Sequence, residues 1–279
     1  MALGIDKRVW FGNQFGGTIG SIDSTGSIRI HSVDTSEGLG NFDVAEASDH
    51  TMWFTAWAPN RSHETIGHLA DGSVTLYHVG FRLSFITRGI KNMWFSGANH
   101  IGKISSTGAV STFTLDSNSN PLDLVLGPDG NIWFTDAYFG TPVQSRIGKI
   151  TPSGKVTEFV VPDKLPGGIE GITVGPDGNL WFTDNNQIGM CTLSGSITMY
   201  DAPTTDAVTD GITSGPSNDL YFTEMFVNKI AHVTLNPVRI TEYFVPPPST
   251  SPLDIALGAD NNIWFTVPGS NLIGEFETH

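Results

Sequence analysis

Cysteine is almost missing from this chain of 279 residues: Cys191 stands alone, so no internal disulfide can form. It lies in an alternating apolar run and reads as a small buried hydrophobe, which leaves the compartment open. Charge is scarce as well, at 15%, against roughly 25% in an average domain. What charge there is leans acidic, with 14 Lys plus Arg facing 28 Asp plus Glu for a formal net charge of −14. Nucleic acid is thereby excluded as a main ligand, because phosphate neutralisation needs basic side chains, and an anionic membrane surface is disfavoured for the same reason. No run approaches the ~20 consecutive apolar residues of a membrane-spanning helix, and no basic segment followed by an apolar one opens the chain. The chain therefore reads as soluble and without an export signal.

Glycine and aromatic residues are plentiful: 32 Gly, 7 Trp, 5 Tyr and 17 Phe. Few charges with many glycines and aromatics suit short strands and tight turns. An aromatic pair recurs along the whole chain, starting at Trp10, Trp53, Trp94, Trp133, Trp181, Tyr221 and Trp264 and followed each time by Phe, with spacings of 43, 41, 39, 48, 40 and 43. A second marker, Ile-Gly or a close relative, follows each copy at Ile19, Ile66, Ile101, Ile147, Ile188, Ile230 and Ile273. Helical repeats of similar period need apolar residues at i, i+3, i+4 and i+7 over ten or more positions, and here Gly and Pro interrupt every short run.

The fourth copy shows the unit. Asp123 to Leu126 reads as a strand, Gly127-Pro128-Asp129-Gly130-Asn131 as a tight turn, Ile132 to Asp136 and Arg146 to Thr151 as two more strands, and Lys155 to Val161 as a fourth. A four-stranded antiparallel sheet with two apolar faces must pack against neighbours, and repeats of about 40–45 residues do so radially. The expected fold is all-β: one seven-bladed β-propeller domain over 1–279, with blades near 1–34, 35–79, 80–115, 116–161, 162–201, 202–246 and 247–279. One outer strand is missing from the count, so either blade 7 has three strands or a native extension precedes Met1.

The repeats Gly127-Pro128-Asp129-Gly130-Asn131-Ile132-Trp133-Phe134-Thr135-Asp136 and Ile147-Gly148-Lys149-Ile150-Thr151-Pro152-Ser153-Gly154-Lys155-Val156-Thr157-Glu158-Phe159 resemble those of the streptogramin B (virginiamycin B) lyases over nearly the whole chain. The resemblance implies an eliminase that linearises a cyclic depsipeptide lactone, using histidines at Pro-His-Gly-like starts of the inner strands in the last two blades, with acidic residues and Mg2+ nearby. That slot, eleven residues before each aromatic marker, holds Phe42, Leu83, Leu122, Glu170, Asp210 and Leu253 in blades 2 to 7, and the family's late acidic position falls on Pro268. No histidine occupies it.

The starts of the inner strands nevertheless carry Asp43, Asp123, Glu170, Asp210 and Asp254. An arc of carboxylates without nearby cations raises its own pKa values or binds a hard divalent ion, so Mg2+ or Ca2+, with no organic cofactor, is expected on Glu170, Asp210, Asp123 and Asp254. The competing role for Asp43, Asp123 and Asp254 is capping of local backbone amides. Glu170 and Asp210 are each followed by Gly, which permits close approach, and form the sharper acid-base pair. Asp136, Asp184 and Glu224 share one position at the end of the second strand, and that repetition points to scaffolding.

The loops of blades 2 and 4 are long. They offer Trp57, Arg61, His63 and Glu64, and Tyr138, Phe139, Gln144 and Arg146, with Phe226 joining from blade 6. Aromatics there suit stacking on a ligand, and packed loop tips are the plainer alternative. His63 and His100 are the histidines placed on this face as candidate bases; His31, His68, His78 and His232 fall within strands and read as structural. The expectation is a monomeric, lyase-like propeller with an acidic site for a small polar or cyclic molecule and elimination or ring-opening chemistry. The alternative is a non-catalytic propeller whose rim binds a peptide, glycan or protein.

Overall fold

The computed structural model describes residues 1–13, 16–33, 40–57, 64–248 and 250–278. They form seven antiparallel sheets, six of four strands and a last one of three. In blade 4 the strands run Pro121–Leu126, Ile132–Tyr138, Gln144–Ile150 and Val156–Val160, from the inner strand outward. Blade 7 comprises Ile255–Leu257, Ile263–Val267 and Leu272–Phe276, with a single 3-10 turn at Pro268–Ser270. The seven inner strands touch one another around the ring, and Ala2–Leu3 of blade 1 meets Ile255–Leu257 of blade 7. Among the described residues no helix is long and apolar enough to cross a membrane.

Both sequence markers have a packing cause. Phe134 stands opposite Gly148 across the second and third strands. A Cβ on Gly148 would lie 2.1 Å from the Phe134 ring, and the same holds at 1.9 Å for Gly67 over Phe54 and 2.0 Å for Gly189 over Phe182. The Phe lies flat over its own sheet because the Ile-Gly glycine leaves it room. Blade 6 carries Ala231 opposite Phe222 instead.

The Trp of each pair faces the other way, into the next blade. Trp133 packs with Ile169, Ile172 and Phe182 of blade 5, and Trp53 with Phe95 of blade 3. Trp264 closes the ring against Val9 and Ile22 of blade 1. Burying such side chains contributes about 1.5–3 kcal/mol each, so the inter-blade seams hold the core. The turn acids serve the indoles: Trp133 Nε1 donates to Asp129 at 3.0 Å and Trp181 Nε1 to Asp177 at 3.1 Å. At the one substituted marker, His232 stacks on Tyr221 and bonds Asp219 at 2.7 Å.

Candidate functional site

The inner strands of blades 2, 4, 5 and 6 each slip register at their start, between Asn41 and Val44, Pro121 and Leu124, Ile169 and Ile172, and Thr209 and Ile212. One extra residue on the inner strand is a β-bulge, which re-aims side chains at a sheet rim. Asp43, Asp123, Glu170 and Asp210 sit in these bulges.

A buried hydroxyl ring holds the bulges together. Thr183, two residues after Trp181, accepts the Gly171 N–H at 2.9 Å and donates to the Asp210 carbonyl of the next blade. Thr135 repeats this from the Asp123 N–H at 3.1 Å to the Glu170 carbonyl at 2.6 Å, and Thr223 from the Gly211 N–H at 3.0 Å to the Leu253 carbonyl at 2.7 Å. Thr55 and Ser96 reach Ser84 and Leu122 in the same way. These hydroxyls are the positioning groups of the site. They were readable as the Thr of Trp-Phe-Thr, but nothing in the repeat alone tells which blade the hydroxyl addresses.

The acids do not form one equivalent arc. Asp43, Asp123 and Asp254 lie one position later along the strand than Glu170 and Asp210, and they act as clamps. Asp123 accepts the Leu124 N–H at 2.8 Å and the Ile172 N–H of blade 5 at 2.9 Å, and Asp43 accepts Val44 and Ile86 likewise. Asp254 accepts Ile255 at 2.9 Å and the Met1 amino group, which also lies 3.7 Å from Asp43. In blades 5 and 6 the clamp position is Gly171 or Gly211. A Cβ there would sit 2.7 Å from the Asp210 or Leu253 carbonyl oxygen, so the inner strands approach too closely for a side chain.

Glu170 and Asp210 therefore remain as the half-buried acids of the mouth whose carboxyl groups bond no described residue. Burial pushes Glu170 up to about 7. Burial first, then the neighbouring Glu170, pushes Asp210 up to about 8. A cavity of about 320 Å3 among the inner strands is lined by the clamp acids Asp43, Asp123 and Asp254, and not by this pair. Burial, then Asp43, lifts Asp123 to about 8.

Among the described residues no group of three or more His, Cys, Asp or Glu side chains is arranged to hold a metal. Both oxygens of Asp123 and Asp254 are already engaged as acceptors, which leaves Glu170 and Asp210 as the uncommitted pair.

The rim is partly committed to itself. The Arg146 guanidinium stacks on Tyr138 at 3.4 Å and bonds Glu158 and Gln144 at 3.1 and 2.8 Å. Phe139 and Phe226 are solvent-exposed, at 58% and 70%, and Trp57 is half-buried at its strand end. His100 stacks on Phe81 at 4.5 Å with Nδ1 buried and unpartnered. His63 and Arg61 lie outside the described residues. His31 and His68 stack on Trp10 and Trp53.

The strand-end acids Asp136, Asp184 and Glu224 are fully buried. Asp136 accepts the Asn120 N–H at 2.7 Å, as a scaffold acid should. Glu224 bonds no backbone amide at all, and burial, then Glu242, pushes it up to about 8.

Fold and mouth together define a seven-bladed propeller of Trp-Phe repeats with acids at the starts of its inner strands. The virginiamycin B lyase family model matches residues 56–279, and the chain belongs to that family. A streptogramin B lyase structure is 31% identical, with 98% of this chain and 91% of that one covered at a TM-score of 0.87. Virginiamycin B lyase from Staphylococcus aureus is 32% identical over 96% of this chain and 90% of that one, with a TM-score of 0.84. A catalytically inactive His-to-Ala variant of the S. aureus enzyme, solved with quinupristin, is 34% identical over 87% and 85%, with a TM-score of 0.77. No curated protein sequence matches the chain.

Proposed function

We propose that this chain is a small-molecule lyase of the propeller mouth in which two carboxyl groups do the work that imidazole does in its relatives. The observation that carries the reading is the Glu170 and Asp210 pair. These acids stand on adjacent inner strands, bond no described residue, and are lifted to about 7 and about 8. A carboxyl raised that far titrates where imidazole does, and a pair with separated values supplies one base and one acid near neutral pH.

Glu170, the more acidic, is the base in this scheme. It removes the proton from the carbon next to the substrate carbonyl, the electron pair forms the new double bond, and the β carbon–oxygen bond breaks. Asp210, protonated, hydrogen-bonds or protonates the departing carboxylate oxygen. Phe139 and Phe226 offer apolar surface beside the mouth for a cyclic ester. No step requires a metal ion. The quinupristin of the S. aureus structure makes cyclic depsipeptide lactones the first class to test.

The experiment is incubation of purified protein with a panel of lactones and cyclic depsipeptides, followed by mass spectrometry. Elimination gives an opened product of unchanged mass, and hydrolysis adds one water. We expect elimination with a bell-shaped pH profile, lost in Glu170→Gln and in Asp210→Asn. Turnover that survives both substitutions, or no turnover across the panel, refutes the assignment.

A further inference from the structure

The connection from blade 4 into blade 5, residues 161–168, delivers Ile169 and Glu170 to the mouth. At its base Asp184, only 1% exposed, lies within hydrogen-bonding reach of Asp163. Asp184 Oδ1 accepts from Asn185 Nδ2 at 3.0 Å, and the Ser145 side chain also bonds this carboxyl. Both neighbours favour the ionised carboxylate, whereas burial, and after it the facing Asp163, pushes Asp184 up to about 8. Yet Asp184 Oδ2 and Asp163 Oδ2 are both buried and without a hydrogen-bond partner.

Two facing carboxyl groups hold either a shared proton or a cation between them, and no side-chain cation of the described residues is placed there. Lys164, next in the chain, is taken by Asp201 at 2.8 Å. The oxygens close by are the Ser145 hydroxyl, which accepts the Gly167 N–H at 3.0 Å, and the Leu165 carbonyl, which accepts from Asn185.

We infer that Asp163 and Asp184 form a divalent cation site, of the Ca2+ class, that fastens the 161–168 connection beneath the propeller rim. The donors are all hard oxygens: Asp184 and Ser145 sit at strand ends, and Asp163 and Leu165 lie on the connection, whose freedom to adjust suits the flexible shell of Ca2+ better than the strict octahedron of Mg2+. Two carboxylates bind less tightly than the usual three or four, so the remaining ligands are loop carbonyls and water. The site is separate from Glu170 and Asp210 and independent of the chemistry proposed for them.

The test is thermal denaturation of chelator-treated full chain with CaCl2 added. For a Kd of about 10⁻⁴–10⁻³ M, about 10 mM Ca2+ should raise Tm by roughly 3–10 °C. Asp163→Asn should remove that response while leaving metal-free Tm unchanged or higher, because it also removes the repulsion. The double variant Glu170→Gln with Asp210→Asn should keep the response in full. A wild type insensitive to Ca2+, a response retained in Asp163→Asn, or one lost in the mouth double variant would each overturn the proposal.

Discussion

Replacing Thr183 with Val tests whether the hydroxyl ring holds adjacent blades together. Val keeps the shape and removes one hydroxyl. That hydroxyl accepts the Gly171 N–H of its own blade and donates to the Asp210 carbonyl of the next. Thr183 is completely buried, so no water replaces it, and an amide and a carbonyl are left without their partner. Each buried orphan costs about 1–3 kcal/mol, giving about 2–4 kcal/mol when partial relaxation is allowed. At roughly 2–4 °C per kcal/mol for a chain of this size, Tm should fall by about 5–12 °C. Thr266→Val is the internal control. Thr266 accepts the Asp254 N–H at 3.0 Å, and its other contact, at 3.5 Å, stays within the same blade, so about half the loss is expected. Exposed Thr157→Val should change little. Thermal and urea denaturation measure all three, and a Thr183→Val loss no larger than that of Thr157→Val would refute the inter-blade role.

Stability should fall as pH rises. Asp123, Asp184, Asp210 and Glu224 are each raised to about 8, above unfolded values near 4. Each therefore binds its proton more tightly when folded; its contribution is complete below about pH 4 and is lost as pH climbs to about 8. Tm measured from pH 5 to 9 in metal-free buffer should decline, and a flat or rising curve would count against the burial of these acids. Asp123→Ala should cost about 2–4 kcal/mol by releasing the Leu124 and Ile172 amides, whereas Glu170→Gln should cost under about 1; equal losses by chemical denaturation would erase the distinction between clamp and site. Streptogramin B with Mg2+ should be opened far more slowly than by a family lyase, because Asp210 and Leu253 stand where the resemblance places imidazoles, and rapid metal-dependent opening seen by mass spectrometry would contradict this. Gly148→Ala drives a methyl to 2.1 Å from the Phe134 ring and should destabilise by about 1–3 kcal/mol, with circular dichroism melting as the check.

The six Trp-Phe pairs, Tyr221-Phe222 and their Ile-Gly-like partners carry the blade count and the strand order in the chain itself, and the folded ring decided that the last blade has three strands. Strand and turn chemistry are local, and a repeated unit with two apolar faces has one way to bury both. The acids at the mouth were visible as residue types near the strand starts. Their division into clamps and uncommitted groups was not. Asp123 and Glu170 differ by a single position relative to the aromatic marker, and in a strand one position sends a side chain elsewhere. Where a bulge intervenes, only the folded register decides the direction. The same limit hid the hydroxyl ring, since Thr135 addresses a carbonyl 35 residues away across a blade seam. It hid the facing Asp163 and Asp184 as well, because burial and the absence of a neighbouring cation are properties of packed blades. What periodicity and turn residues determine is the architecture; which carboxyl is held, which is left free and how far each pKa rises depends on desolvation and on contacts between blades, and those exist only once the ring has closed.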